Sequence, residues 1–154
     1  MINNLYEISR KERTKAIKLY AKSIINLKIS SEIYPLQKSV SDYCQENDYM
    51  ENDEPLISLE VFPQINHQYY FGLCTAPSKK GNEVADKFES KKSLIAWDLF
   101  CISKNGIDCF LERHQQLIKE IGFYSDFNIN TLYNLSEYLK NFDYEKVGEQ
   151  IDRL

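Results

Sequence analysis

The stretch from Leu56 to Thr75 constrains this chain more than any other. In LISLEVF (56–62), Ile57, Leu59 and Val61 fall on one side and Leu56, Ser58, Glu60 and Phe62 on the other. That alternation belongs to a half-buried strand, with the uniformly apolar side turned inward. QYYFGLCT (68–75) is rich in aromatic residues and has the same strand character. The connection PQINH is short and Pro63 sits at a strand end, so the two runs are expected to form an antiparallel hairpin with His67 at its tip. Helical periodicity lies on both sides of this hairpin. The expected fold is therefore α+β and mostly helical: about five helices packed with a small antiparallel β-hairpin or sheet, in one globular domain over residues 1–154.

The helices are read from apolar spacing. In residues 11–27, Ala16, Ile17, Tyr20, Ala21, Ile24 and Leu27 follow one stripe, and Lys11, Lys15, Lys18 and Lys22 form the wet face. A second helix is expected over 35–46, with Pro35 in its first turn and Leu36, Val40, Tyr43 and Cys44 along one face. Residues 76–92 read as a lysine-rich loop with at most a turn of helix near 83–89. The apolar run 93–102 suits either helix or strand; a helix is favoured, ending at SKNG with Gly106 as a left-handed cap. A hairpin turn at Asn105-Gly106 is the other reading. Ile107, Phe110, Leu111, His114, Leu117, Ile118 and Ile121 then give the clearest helix, which Gly122 is expected to stop. Asn130 is expected to cap a helix over 130–141, and Asp143 a last, peripheral one carrying Tyr144, Val147, Ile151 and Leu154.

Several chemistries find no support. The longest apolar run, Leu94 to Ile102, is interrupted by Asp98 and is far short of the roughly 20 residues that cross a bilayer. The first residues lack the apolar core of a targeting signal, so a cytoplasmic protein without membrane contact is expected. Cys44, Cys74, Cys101 and Cys109 have neither C-x-x-C nor finger spacing and read as buried free thiols, with no metal. No phosphate-cradling, nucleophile-elbow or zinc-helix motif occurs, so no cofactor is expected and catalysis is not the favoured reading. His114 lies on the apolar stripe and reads as a core residue. Its neighbours Glu112 and Arg113 diverge from it by about 100° per residue.

Charge is segregated. Residues 1–28 hold seven Lys/Arg against two acids, and residues 29–77 hold one Lys against eight acids. The densest acidic stretch is DYMENDEP, read as a loop without the glycine and closing glutamate of a calcium-binding hand. Acidic surface repels nucleic acid and attracts a basic protein. Eleven tyrosines suit half-buried contact surfaces, although abundant Lys, Asn, Ile and Tyr together also fit biased codon usage. The residues expected to bind a partner are Asp48, Tyr49, Glu51, Asp53 and Glu54, joined by Tyr69 and Tyr70 if the hairpin flanks that loop. The favoured function is non-catalytic: an acidic protein of the bacterial immunity type that binds and neutralises a basic toxin or nuclease. The competing readings are a small enzyme using His67 or His114 with a carboxylate or cysteine, and an adaptor or chaperone-like subunit.

Overall fold

A computed structural model describes residues 2–63, 68–88 and 98–153, with side chains from residue 10 onward in the first span. Among the described residues, helix α1 (Ile2–Glu46) is followed by the short strands β1 (Met50–Glu51) and β2 (Glu54–Pro55), then by β3 (Ile57–Pro63) and β4 (Tyr69–Thr75). Helix α2 (Lys79–Lys87), strand β5 (Phe100–Cys101) and helices α3 (Lys104–Arg113), α4 (Gln115–Tyr124), α5 (Asn130–Lys140) and α6 (Tyr144–Asp152) complete the order. The mostly helical α+β class read from the sequence is the one observed.

One helix stands where two were expected. At 1.5 Å per residue, the 45 residues of α1 span about 67 Å. Pro35 lies inside it, so one carbonyl, that of Ser31, loses its intrahelical donor. Ser30, Ser31, Tyr34 and Pro35 are all exposed, so water can reach that carbonyl and the helix tolerates the break. The buried stripe also differs from the expected one. Ala21, Ile25, Ile29, Ile33, Leu36, Val40, Tyr43 and Cys44 face the core, whereas Tyr20 and Leu27 face solvent. Steps of four repeated from Ala21 to Ile33 carry the core face steadily around the helix, away from Tyr20 and Leu27.

The expected hairpin is present. β3 and β4 pair antiparallel, from Ile57 opposite Thr75 to Pro63 opposite Tyr69, and β5 adds beyond β4 with Phe100 opposite Phe71. Ile57 and Leu59 are buried as expected. α1 lies against this sheet: Gln37 Nε2 donates to the Leu59 carbonyl at 3.1 Å, and the Tyr69 hydroxyl donates to Asn26 Oδ1 at 2.8 Å. The tip itself, including His67, lies outside the described residues.

The two strand-to-helix connections use one device. In SKKG, Ser78 caps α2 by accepting the Gly81 N–H at 3.1 Å; in SKNG, Ser103 caps α3 by accepting the Gly106 N–H at 3.1 Å. A Cβ on Gly81 would stand 1.9 Å from the Ala76 carbonyl oxygen, and one on Gly106 2.1 Å from that of Cys101, so neither site has room for a side chain. SKNG therefore starts a helix rather than ending one. Phe100–Cys101 is strand, residues 93–97 of the expected helix lie outside the described residues, and α2 replaces the expected loop. The expected helix 107–121 is broken at His114 into α3 and α4 (φ −114°, ψ 25°) and runs past Gly122 to Tyr124. Asp143 caps α6 as expected, accepting the N–H groups of Glu145 and Lys146. α6 lies on the N-terminal half of α1, where Val147 is buried and Asp152 pairs with Arg13 at 2.8 Å. Leu154 lies outside the described residues.

Candidate functional site

The acidic stretch is a folded element. α1 ends in a Schellman motif: the Tyr49 N–H reaches back to the Cys44 carbonyl at 2.8 Å and the Asp48 N–H to that of Gln45 at 3.4 Å. Asp48 occupies the left-handed position, φ 58°, where glycine is usual. The usual apolar contact is present too, with the Tyr49 and Tyr43 rings 5.9 Å apart. β1 and β2 then pair Glu51 with Glu54 across the two-residue loop Asn52-Asp53, with φ 53° and 64°. Two central residues at positive φ define a type I′ hairpin, whose twist matches that of the flanking strands. The Asn-Asp pair carried that signal in the sequence, and reading the acids as a loop missed it. The Leu56 N–H donates to the Tyr49 carbonyl at 2.9 Å, which continues the ladder into β3.

The hairpin displays Asp48, Asp53 and Glu54 to solvent, with Glu51 half-buried. α2 approaches its side. Lys87 donates to the Tyr49 hydroxyl and its ammonium stands 4.9 Å from the Tyr49 ring centre, which raises the lysine pKa. A groove of about 350 Å³ lies between them, lined by Asp48, Tyr49, Met50, Lys80, Glu83 and Lys87 among others. The two lysines offset the two carboxylates of this groove, so the uncompensated negative charge is at the hairpin end: Glu51, Asp53 and Glu54.

An aromatic chain joins this element to α4. Tyr43, buried, has the Tyr49 ring at 5.9 Å and the Tyr124 ring at 6.0 Å, and Phe123 lies 5.2 Å from Tyr124. The Tyr43 hydroxyl donates to Glu120 Oε2 at 2.6 Å; burial and this carboxylate push its pKa well above the usual phenol range. Phe123 and Tyr124 are 82% and 48% exposed. Neither was picked out from the sequence. Tyr124 continues the apolar stripe of α4 three residues after Ile121 and Phe123 falls off it, and both follow Gly122, which was read as the helix end.

Tyr69 and Tyr70 are elsewhere. They pair with Pro63 and Phe62, at the end of the β3–β4 ladder opposite Leu56 and the acidic hairpin. Tyr69 is 3% exposed and bonded to α1, so it is a core residue. Tyr70 is half-buried, its hydroxyl donating to Gln68. The structure brings together Asp48, Tyr49, Glu51, Asp53 and Glu54, and it separates them from the two sheet tyrosines.

His114 is a core residue, 1% exposed, against the rings of Phe110 (5.0 Å) and Phe100 (6.0 Å). Neither ring nitrogen has a hydrogen-bond partner among the described residues. Burial, helped by the Arg113 charge, lowers its pKa to about 4. The thiols divide differently from expectation. Cys44 and Cys74 are buried, and Cys74 is pushed up to about 11 by burial and Glu60. Cys101 is half-buried and Cys109 exposed, because they lie off the core face of β5 and α3. Both line a groove of about 660 Å³ with Glu112 and Arg113, and His114 is not among its lining residues. Among the described residues no group of three His, Cys, Asp or Glu side chains is placed to hold a metal ion, and no helix is long and apolar enough to cross a membrane. No family model, curated protein or solved structure matches this chain.

Proposed function

We propose that this is a non-catalytic protein-binding protein that engages and neutralises a basic partner, a toxin or nuclease, through the acidic hairpin at the end of α1. The observation that carries the reading is conformational. Among the described residues the non-glycine positions at positive φ are Asp48, Asn52 and Asp53, all within one six-residue stretch. Glycine would relieve each of them, at up to about 1 kcal/mol apiece. Charge and hydrogen-bonding capacity are kept there at the expense of local stability, as expected of a surface selected for binding. Negative side chains held on a rigid hairpin lose little freedom on contact, and they complement a surface built to hold phosphates. Phe123 and Tyr124 supply exposed aromatic area of the kind that anchors interfaces. Using His114 as a catalytic base would first require opening the core around it.

The test is affinity capture of the tagged chain from its native cells, at low and high salt, beside a variant with Asp48, Glu51, Asp53 and Glu54 all changed to alanine. The expected result is a stoichiometric basic protein that is retained less at high salt and lost from the variant. Equal capture by the variant, or no partner in either buffer, overturns the reading.

A further inference from the structure

The groove between β5 and α3 holds two thiols. Cys101 follows Phe100, whose ring packs in the core, so its own side chain leaves the other face of the strand. Cys109 stands off the core face of α3, one residue before the buried Phe110. Both line the groove of about 660 Å³. Gly106 brings them together. It packs so closely on the Cys101 backbone that a Cβ there would stand 2.1 Å from the Cys101 carbonyl oxygen. Cys109 lies three residues further along α3, on the same face as Gly106, and helical side chains lean towards the N-terminus. The Cys109 thiol therefore leans over the turn that touches Cys101, and Gly106 has no side chain to stand between them. The matching positions of the SKKG connection, two residues before its serine and six after, are Ala76 and Val84, which carry no thiol.

We infer that Cys101 and Cys109 form a dithiol site that a hydroperoxide oxidises to an intramolecular disulfide, tying α3 to β5. The chemistry runs in two steps. The sulfur of Cys109, the more exposed of the two, attacks one peroxide oxygen. The O–O bond breaks, Cys109 becomes a sulfenic acid, and its proton leaves with the other oxygen as water or an alcohol. The Cys101 sulfur then attacks the Cys109 sulfur. The S–O bond breaks, the S–S bond forms, and the departing hydroxyl takes the Cys101 proton as water. The thiol pair is oxidised and the peroxide reduced. Cys44 and Cys74 stay out of this chemistry, because both are buried and burial raises both thiol pKa values, which withholds the reactive thiolate. Cys101 pairs with Tyr70, towards the end of the ladder away from the acidic hairpin, so this inference stands independently of the function proposed above.

Treatment of the folded full chain with limiting hydrogen peroxide tests it, followed by alkylation of the remaining thiols and mass spectrometry. The chain is expected to lose two of its four free thiols and the mass of two hydrogen atoms, both restored by dithiothreitol. Trypsin cuts after Lys104, between the two cysteines, so the non-reduced digest is expected to show the Cys101 and Cys109 peptides joined. Cys101→Ser is expected to keep the circular dichroism of the wild type and to strand the sulfenic acid on Cys109, where dimedone labels it; the wild type is expected to take up little label. A wild type that keeps all four thiols, a disulfide to Cys44 or Cys74, disulfide-joined dimers, or a sulfinic acid on Cys109 with Cys101 still free each overturns the inference.

Discussion

Two aromatic clusters in this molecule are built from similar parts and behave in opposite ways. Phe71, Phe100, Phe110 and His114 close on one another beneath the sheet, with ring centres 4.7 to 6.3 Å apart. Tyr49, Tyr43, Tyr124 and Phe123 run instead as an open chain from the acidic hairpin to exposed rings on α4. In the open chain, the Tyr43 and Tyr49 hydroxyls are each bonded to a charged side chain, of Glu120 and Lys87. In the closed cluster the one polar ring is left without a partner among the described residues. The closed cluster contributes apolar burial at the expense of a desolvated imidazole. The open chain gives up some burial and keeps its polar atoms satisfied next to water. An aromatic group that keeps its polar contacts and reaches the surface is available to a partner.

Substitutions separate the two clusters, and the largest effect is expected in the closed one. Phe110→Ala should destabilise the fold by about 3–5 kcal/mol in urea unfolding, because Phe71, Phe100 and His114 all lose a neighbour. A change below about 1 kcal/mol would mean the cluster is not a packing centre. Next comes pH. The folded chain holds His114 neutral down to about 4, while the unfolded chain takes up its proton near 6.5. This contribution is complete above pH 6.5, falls as pH drops from 6.5 to about 4 and is constant below that, a loss of about 3 kcal/mol. His114→Leu should remove this slope, as read from urea midpoints at several pH values. A wild-type midpoint that stays flat through that window would contradict the burial of the ring.

The open chain should respond less. Tyr43→Phe removes a hydroxyl bonded to a carboxylate and should cost about 1.5 kcal/mol. Asp48→Gly should do the reverse, adding about 0.5–1 kcal/mol of stability by relieving the left-handed position while weakening partner binding. Were Asp48→Gly neutral in both assays, the conformational argument for the hairpin would fail. Phe123→Ala should change stability by less than about 0.5 kcal/mol yet lower partner affinity about tenfold, measured by titration calorimetry.

The same contrast explains what could be read from the sequence. The β3–β4 hairpin was legible because its alternation and aromatic content agree with each other. The buried face Leu36, Val40, Tyr43 and Cys44 was legible because its spacing is regular. Pro35 misled because local rules place proline at a helix start; here exposure on the outer face of a long, well-packed helix lets it sit inside. SKNG misled because the glycine was weighed before the serine, although SKKG carries the same capping pattern at α2. The break at His114 left no local signal, since the apolar stripe continues through it. At the site the acids were legible by composition. Their hairpin was not, and Tyr69 was misplaced because the far end of a strand cannot be located without the register.

In chain order, α1 precedes every element that it packs against. Its apolar stripe runs from Ala21 to Cys44, and the surfaces that cover it come from β3, α4, α5 and α6. During synthesis this stripe therefore emerges well before its cover, and the stretch that meets α6 waits longest. The 46 N-terminal residues should not hold together as an isolated fragment, because a single helix in water keeps its order mainly through the faces it packs against. Cover of the stripe can thus begin with β3 and is complete only once α4, α5 and α6 have followed. Until then the nascent helix is a natural client for whatever in the cell shields exposed apolar surface.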